Sequence, residues 1–285
     1  MRKIIYTVLA LGVAFAVSAC GSCERASCAQ QDAPKKERKI AVQMYTFKNY
    51  TFEESVPWLA KNGIRGLGIT GGQILTSKYP KLRFGPQMNA EQRAWFKNFV
   101  KANDCKVVSF GVVIPKTEAE IKELCQFAKE MDVPLILTES PAELLPAWEK
   151  YCGETGVKMA LHNHASDNRA NNYYNPDVVA ALVKPYKNIG ACPDNGHWSR
   201  SGIDPVAGYK KLEGKIFALH FKDQAEFGNI KNQCVPFGTG ALDMKGMLAE
   251  LDRQGFDGYY IIEYEAKWDD NLGDVVECAK YLRFN

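Results

Sequence analysis

"KVVSFGVVIPKTEAEIKELCQFAKEMD", residues 106–132, carries two periodicities in succession. Its first eight residues are a nearly continuous β-branched and aromatic run, the pattern of a strand buried on both faces. From Thr117 the apolar positions Ile121, Leu124, Cys125 and Ala128 recur at helical spacing. A T-x-x-E box, Thr117 to Glu120, opens that helix by accepting its first free amides. A buried strand followed by an amphipathic helix is a parallel-sheet unit, because parallel neighbours need a long crossover between them.

Outward from this stretch the same unit recurs, eight times in all. Before it stand "KIAVQMYTF" with "TFEESVPWLAKNG", capped by Thr51 and stopped at Gly63, and "IRGLGIT" with "NAEQRAWFKNFVKAND". After it come "PLILTE" with "PAELLPAWEKYCGETG", "VKMALH" with "PDVVAALVKPY", and "IGACPD" with "DPVAGYKKLEG". "IFALHFKD" with "LDMKGMLAELDRQG" and "GYYIIEYE" with "NLGDVVECAKYLRF" complete the count. Eight units in residues 39–285 predict one α/β domain, a closed (β/α)₈ TIM barrel, over an open doubly wound sheet. No G-x-G-x-x-G follows the first strand, which disfavours dinucleotide binding.

The chain ahead of the barrel reads differently. "MRKIIYTVLALGVAFAVSAC" has a basic start, a short apolar stretch and small residues before Cys20. The apolar stretch is too short to span a bilayer, so residues 1–19 are expected to be a signal peptide. "VSAC" resembles a lipobox, which makes Cys20 the expected lipidation site. Residues 20–38 then form a polar tether. The resulting expectation is an exported protein, lipid-anchored in the bacterial cell envelope on the periplasmic side. "CGSC" does not open a helix after a strand, so a thioredoxin-like reading fails. The six cysteines of the body lack a disulfide spacing and are expected to be free and mostly buried. A net charge of +3 with no basic run beyond "PKKERK" gives no sign of nucleic-acid binding.

In barrels of this kind, reactive groups project from the C-terminal ends of the strands. Those ends present Gln43 and Tyr45, then Glu139, His162 and His164, then Asp194 and His197, then His220, Lys222 and Asp223, and finally Glu263 and Glu265. All four histidines of the chain therefore cluster at or just beyond strands five to seven. Asp194 and Asp223 also suit loop caps. Taken jointly, imidazoles and carboxylates on one rim suit one divalent ion: Mn²⁺, Co²⁺, Zn²⁺ or Fe²⁺. Tyr45, Phe47, Trp198 and Trp268 are aromatic candidates for stacking on a sugar face.

The ordered set "HNH", "D-x-GH", "H-x-KD", "GTGALD" and "E-Y-E" resembles the xylose isomerase-like TIM barrels, a group of sugar isomerases, epimerases and dehydratases. The resemblance implies a metal held by His162, Asp194, His220 and Glu263. It places His197 and Lys222 near substrate oxygens, with Gln43 on the floor and His164 facing the substrate. It also implies acid–base chemistry by Glu263 with His164, His197, Lys222 or Glu139. The ketose epimerases of the group usually have glutamate where this chain has His162, so two-sided epimerisation loses a partner here. The implied reaction is proton abstraction beside a metal-bound carbonyl through an enediolate, as in a sugar isomerase or epimerase. Two alternatives stay open: a metal-dependent lyase or dehydratase acting on keto-sugars or 3-keto-glycosides, and a barrel that binds sugar without catalysis. The expected partner in each case is a small-molecule sugar or keto-sugar, with membrane contact only through the lipid anchor.

Overall fold

A computed structural model of the chain describes residues 37–167 and 171–285. The signal sequence, Cys20 and all but the last two residues of the tether lie outside the described residues. Among the described residues, ten strands run in chain order. They are β1 (Lys39–Gln43), β2 (Gly66–Ile69), β3 (Lys106–Val113), β4 (Leu135–Thr138), β5 (Lys158–His162), β6 (Ile189–Cys192), β7 (Ala218–Phe221), β8 (Asp223–Gln224), β9 (Cys234–Val235) and β10 (Tyr259–Ile262). Eight of them make one parallel sheet in the order β6-β5-β4-β3-β2-β1-β10-β7. The two ends meet through bridges from Ala191 to Ile216 and from Asp194 to His220, which closes the barrel. The short β8 and β9 form a separate antiparallel ribbon that sequence periodicity did not reveal.

Alternation along the strands explains where the polar residues go. Side chains two apart share a face of a strand. Ala41, Leu137, Ala160, Cys192, Ala218 and Ile261 fill the barrel interior as one cluster. Two residues on from each stands Gln43, Glu139, His162, Asp194, His220 and Glu263, all buried. The candidate residues are thus the continuation of the interior stripe at the end where the barrel opens. The larger cluster, including Val42, Leu67, Ile136, Leu161 and Ile262, lies on the other face of the strands, against the helices.

The helices follow the sequence signals closely. α1 (Phe52–Lys61) and α3 (Glu118–Glu130) begin with the Thr51–Glu54 and Thr117–Glu120 capping boxes, and α2 (Ala90–Ala102) adds an Asn89–Gln92 box. α4 (Leu145–Thr155) ends at Gly156 in the left-handed region, and α5 (Pro176–Val183) opens with proline. One helix was not anticipated: α6 (Asn195–Arg200) starts directly after β6, ahead of the expected α7 (Pro205–Lys211). α8 (Met244–Arg253) and α9 (Leu272–Phe284) complete the ring.

Two smaller readings also find their physical reason. Asp223 is a loop organiser: its carboxylate accepts from the backbone amides of Gln224, Gly238 and Gly240 at 2.8–3.0 Å. A Cβ at Gly240 would lie 2.3 Å from Asp223 Oδ1, which is why "GTGALD" has glycine there. The six body cysteines are free, five of them buried. Arg38, placed in the tether by sequence, already docks on the barrel through Asp252 at 2.6 Å.

Candidate metal centre

The rim of strands five to seven is stitched by two asparagines. Asn163, between His162 and His164, accepts from the amide of Asp194 at 2.9 Å and donates to its carbonyl at 3.2 Å. Asn195 does the same for Lys222, at 2.9 and 2.6 Å. These side chains supply ladder bonds just past the ends of β5, β6 and β7, and so fix the height of His162, Asp194 and His220. Asp194 serves twice. Its Oδ1 caps α6 by accepting from the amide of His197 at 2.9 Å, which leaves Oδ2 facing inward.

Four donors converge there: His162, Asp194, His220 and Glu263, all buried. His162 Nε2 lies 3.1 Å from His220 Nδ1 and 3.6 Å from Asp194 Oδ2. His220 Nδ1 lies 3.0 Å from Glu263 Oε2 and 3.7 Å from Asp194 Oδ2. Ligands held about 2.1 Å from one ion stand roughly 3.0–3.5 Å apart, close to these separations, and all four donor atoms lie within 4.8 Å of one another, so the set suits one divalent ion. The chemistry fits as well, with two imidazoles and two carboxylates. Burial opposes charge on Asp194 and Glu263, yet the neighbouring Lys222 ammonium and imidazoles hold both carboxyls well below the usual range. Burial likewise opposes charge on His220, but Glu263 and Asp194 prevail and push its pKa up to about 9.

Glu139 does not replace the missing epimerase glutamate. Its carboxylate stands behind the histidines, accepting from His162 Nδ1 at 2.9 Å and from His164 Nδ1, with Asn171 Nδ2 at 3.2 Å. Burial raises its pKa, and the bonds from both histidines lower it further than burial raises it. It therefore stays ionised and orients two rings. His162 is left presenting Nε2 to the quartet, the arrangement that carboxylates impose on metal-ligating histidines. His164 is left presenting Nε2 to the cleft, with 42% of its side chain exposed. Glu139, His162 and His164 also form a compact trio, but with fewer donors and a half-exposed member.

Other expectations are redistributed. Lys222 was expected to touch substrate, but its side chain is fully buried beneath the carboxylates, with Nζ 2.9 Å from Asp194 Oδ2, 2.8 Å from Glu263 Oε2 and 3.2 Å from Glu265 Oε1. Trp198 was expected to stack on a sugar; it is 1% exposed, wedged against Gly208 and Tyr209 on the outer side of α6. Phe47 is equally buried. Tyr45 keeps its place at the mouth, edge-on to Trp268 with centroids 5.6 Å apart. Gln43 lies at the floor, its Nε2 3.3 Å from His220 Nε2. His197 faces the cleft, and burial is the main cause that keeps its imidazole neutral.

The cleft, about 470 Å³, is lined by His162, His164, His197, Arg200, Glu263 and Glu265, which end or follow β5, β6 and β10. Gln43, Tyr45, Thr70, Gly111, Val112 and Ile114, from the ends of β1, β2 and β3, complete the lining. Arg200 escaped the sequence reading because it sits on the unanticipated α6; its Nη2 reaches Glu265 Oε2 at 3.2 Å. Asn163 and Asn195 were missed for a different reason. Their signal is an amide directly beyond a strand end, which any turn also produces.

The family model described as xylose isomerase-like TIM barrel matches residues 57–283. An inosose dehydratase of Lacticaseibacillus casei is 28% identical over 135 residues, 39% of this chain and 42% of that protein, so the match spans about two-fifths of the curated relative's length. Among solved structures, an uncharacterised protein from Parabacteroides distasonis ATCC 8503 has a TM-score of 0.71 at 25% identity, covering 87% of this chain and 99% of its own. The IolI protein with a bound zinc atom has a TM-score of 0.69 at 17% identity, covering 86% of this chain and 96% of its own. The match runs from the first helix to the last and takes in every member of the quartet: this chain belongs to the xylose isomerase-like TIM barrel family.

Proposed function

We propose that the chain is a divalent-metal-dependent enzyme that moves a proton on one face of a small sugar or keto-sugar, beside its carbonyl, as a sugar isomerase does. The observation that carries this reading is that two imidazoles line the cleft beside the quartet. His164, backed by ionised Glu139, and neutral His197 stand together with ring centroids 4.8 Å apart. The ketose epimerases usually have a glutamate where this chain has His162, so exchange on two faces lacks one of its usual partners, whereas transfer within one face has both groups it needs.

Bound at the quartet, a divalent ion supplies Lewis-acid polarisation of the substrate carbonyl, which acidifies the neighbouring C–H. His164 Nε2 takes that proton, while Glu139 holds Nδ1–H and stabilises the imidazolium, as the carboxylate of a His–carboxylate pair does. Returning the proton to the adjacent carbon, while the hydroxyl proton passes to the former carbonyl oxygen, completes isomerisation. A second reading, elimination, uses the same abstraction and delivers a proton to a departing hydroxyl, a role within reach of His197. The partial resemblance to an inosose dehydratase favours keeping it.

The test is solvent exchange. Protein loaded with Mn²⁺, Co²⁺, Zn²⁺ or Fe²⁺ is incubated in D₂O with ketoses, aldoses and keto-glycosides, and loss of the C–H signal beside the carbonyl is followed by NMR. Exchange is expected for the substrate class. His164→Ala and Glu139→Gln should slow it on the order of 100-fold or more. Sugar binding without exchange in any loaded form would move the reading to a non-catalytic binding barrel.

We also propose, on the N-terminal sequence, that the enzyme is exported and anchored through lipidated Cys20. Cys20→Ser should shift it from the membrane fraction to the soluble one; an unchanged distribution would remove the anchor from the reading.

A further inference from the structure

Lys222 stands in an unusual relation to the quartet. Its ammonium contacts Asp194 Oδ2 and Glu263 Oε2, at 2.9 and 2.8 Å, and these are the two carboxylate oxygens that face His162 and His220. The lysine has little freedom to leave. Its backbone is clamped by Asn195, its side chain is fully buried, and its stem runs so close under α6 that a Cβ at Gly196 would lie 2.6 Å from its Cδ. Glycine in "D-x-GH" is therefore what gives the stem its passage.

From this geometry we infer that Lys222 is an internal counter-cation that competes with the metal ion for Asp194 and Glu263, and that Glu265 moderates the competition by drawing on the same ammonium. Without the ion, Lys222 keeps two buried carboxylates charged and in place, a state that would otherwise be strongly penalised. With the ion, a fixed positive charge shares its anionic ligands, and like charges a few ångströms apart repel strongly in a buried site. The affinity is thus set below what the four donors alone would give, and the ion remains exchangeable. Glu265 Oε1, 3.2 Å from Nζ, offsets part of that repulsion. Lys222 acts through the ligands and is a positioning residue; it does not reach the cleft.

The inference rests on the metal-site reading above and is tested by affinity alone. Free-metal titration against a chelator gives the dissociation constant for Zn²⁺ and Co²⁺ in the full barrel and in two variants. Lys222→Met keeps the stem and removes the charge, and should bind at least tenfold tighter. Glu265→Gln, which removes the moderating carboxylate at the partly exposed mouth, should bind at least severalfold weaker. A purely structural role would weaken both, since each would disturb the packing. Unchanged or weaker binding by Lys222→Met overturns the inference, as does tighter binding by Glu265→Gln if Lys222→Met proves unfolded by circular dichroism. Wild type that binds no ion while Lys222→Met binds one carries the inference to its limit. No binding by any form overturns the metal site and this inference together.

Discussion

His220→Ala should abolish metal binding, taking the expected content of about one ion per chain to below a tenth under the same loading conditions. His220 is the hinge of the quartet. Its Nδ1 stands 3.0 Å from Glu263 Oε2, 3.1 Å from His162 Nε2 and 3.7 Å from Asp194 Oδ2, so its loss opens the set on every side. Loss of groups that merely orient ligands already costs about 10–100-fold in affinity, and a ligand should cost more. Glu263→Ala should behave alike. His164→Ala is the contrasting variant: it lies outside the quartet with much of its ring in the cleft, and should retain its ion. Elemental analysis after reconstitution and desalting reads all three. A His220→Ala protein that keeps a full complement would place the ion elsewhere, with the Glu139–His162–His164 trio as the next site to test.

The barrel was legible in the sequence because its rule is local. Each strand is an apolar run, each helix has its own cap, and the count of eight follows from reading them in turn. The polar stripe was legible for the same reason, since two-residue spacing carries Ala160 to His162 and Ala218 to His220 on one face. What could not be read was the direction of side chains beyond the strand ends. Trp198 and His197 are adjacent, yet one packs outward on Tyr209 and the other faces the cleft, because α6 turns them apart. Lys222 looks like a substrate contact from its place in "H-x-KD". Only the packing of Gly196 over its stem shows that it ends under the carboxylates. Glu139 likewise needed three dimensions, since its two imidazole partners lie 23 and 25 positions further along the chain.

Metal affinity should rise steeply with pH, about tenfold per unit from pH 7 to pH 9, and then level off. An imidazole must be neutral to bind a metal, and His220 in the metal-free protein is held protonated up to about 9. Burial acts against that charge, but the Glu263 and Asp194 carboxylates beside the ring outweigh it. Each ion bound below pH 9 must therefore release a proton from His220. His162 is raised as well, so the slope should steepen toward lower pH where both rings are protonated. Asp194 and Glu263 are held below the usual carboxylate range and add no slope near neutrality. The consequence for stability differs between the two forms. In the metal-free protein a histidine with a raised folded pKa contributes fully below its unfolded value, about 6.5, and that contribution, on the order of 3 kcal/mol, fades as pH rises through 9. The loaded protein, whose His220 is neutral in the folded and the unfolded state alike over this range, holds level instead, because the tighter binding offsets the loss. The difference in melting temperature between loaded and metal-free protein should accordingly widen from pH 6.5 to pH 9 at fixed free metal. Chelator-buffered titrations and paired melting curves across that range measure both. A flat affinity profile would mean that His220 is already neutral at pH 7, its Nδ1–H donating to Glu263 across the 3.0 Å separation and its Nε2 accepting from Gln43.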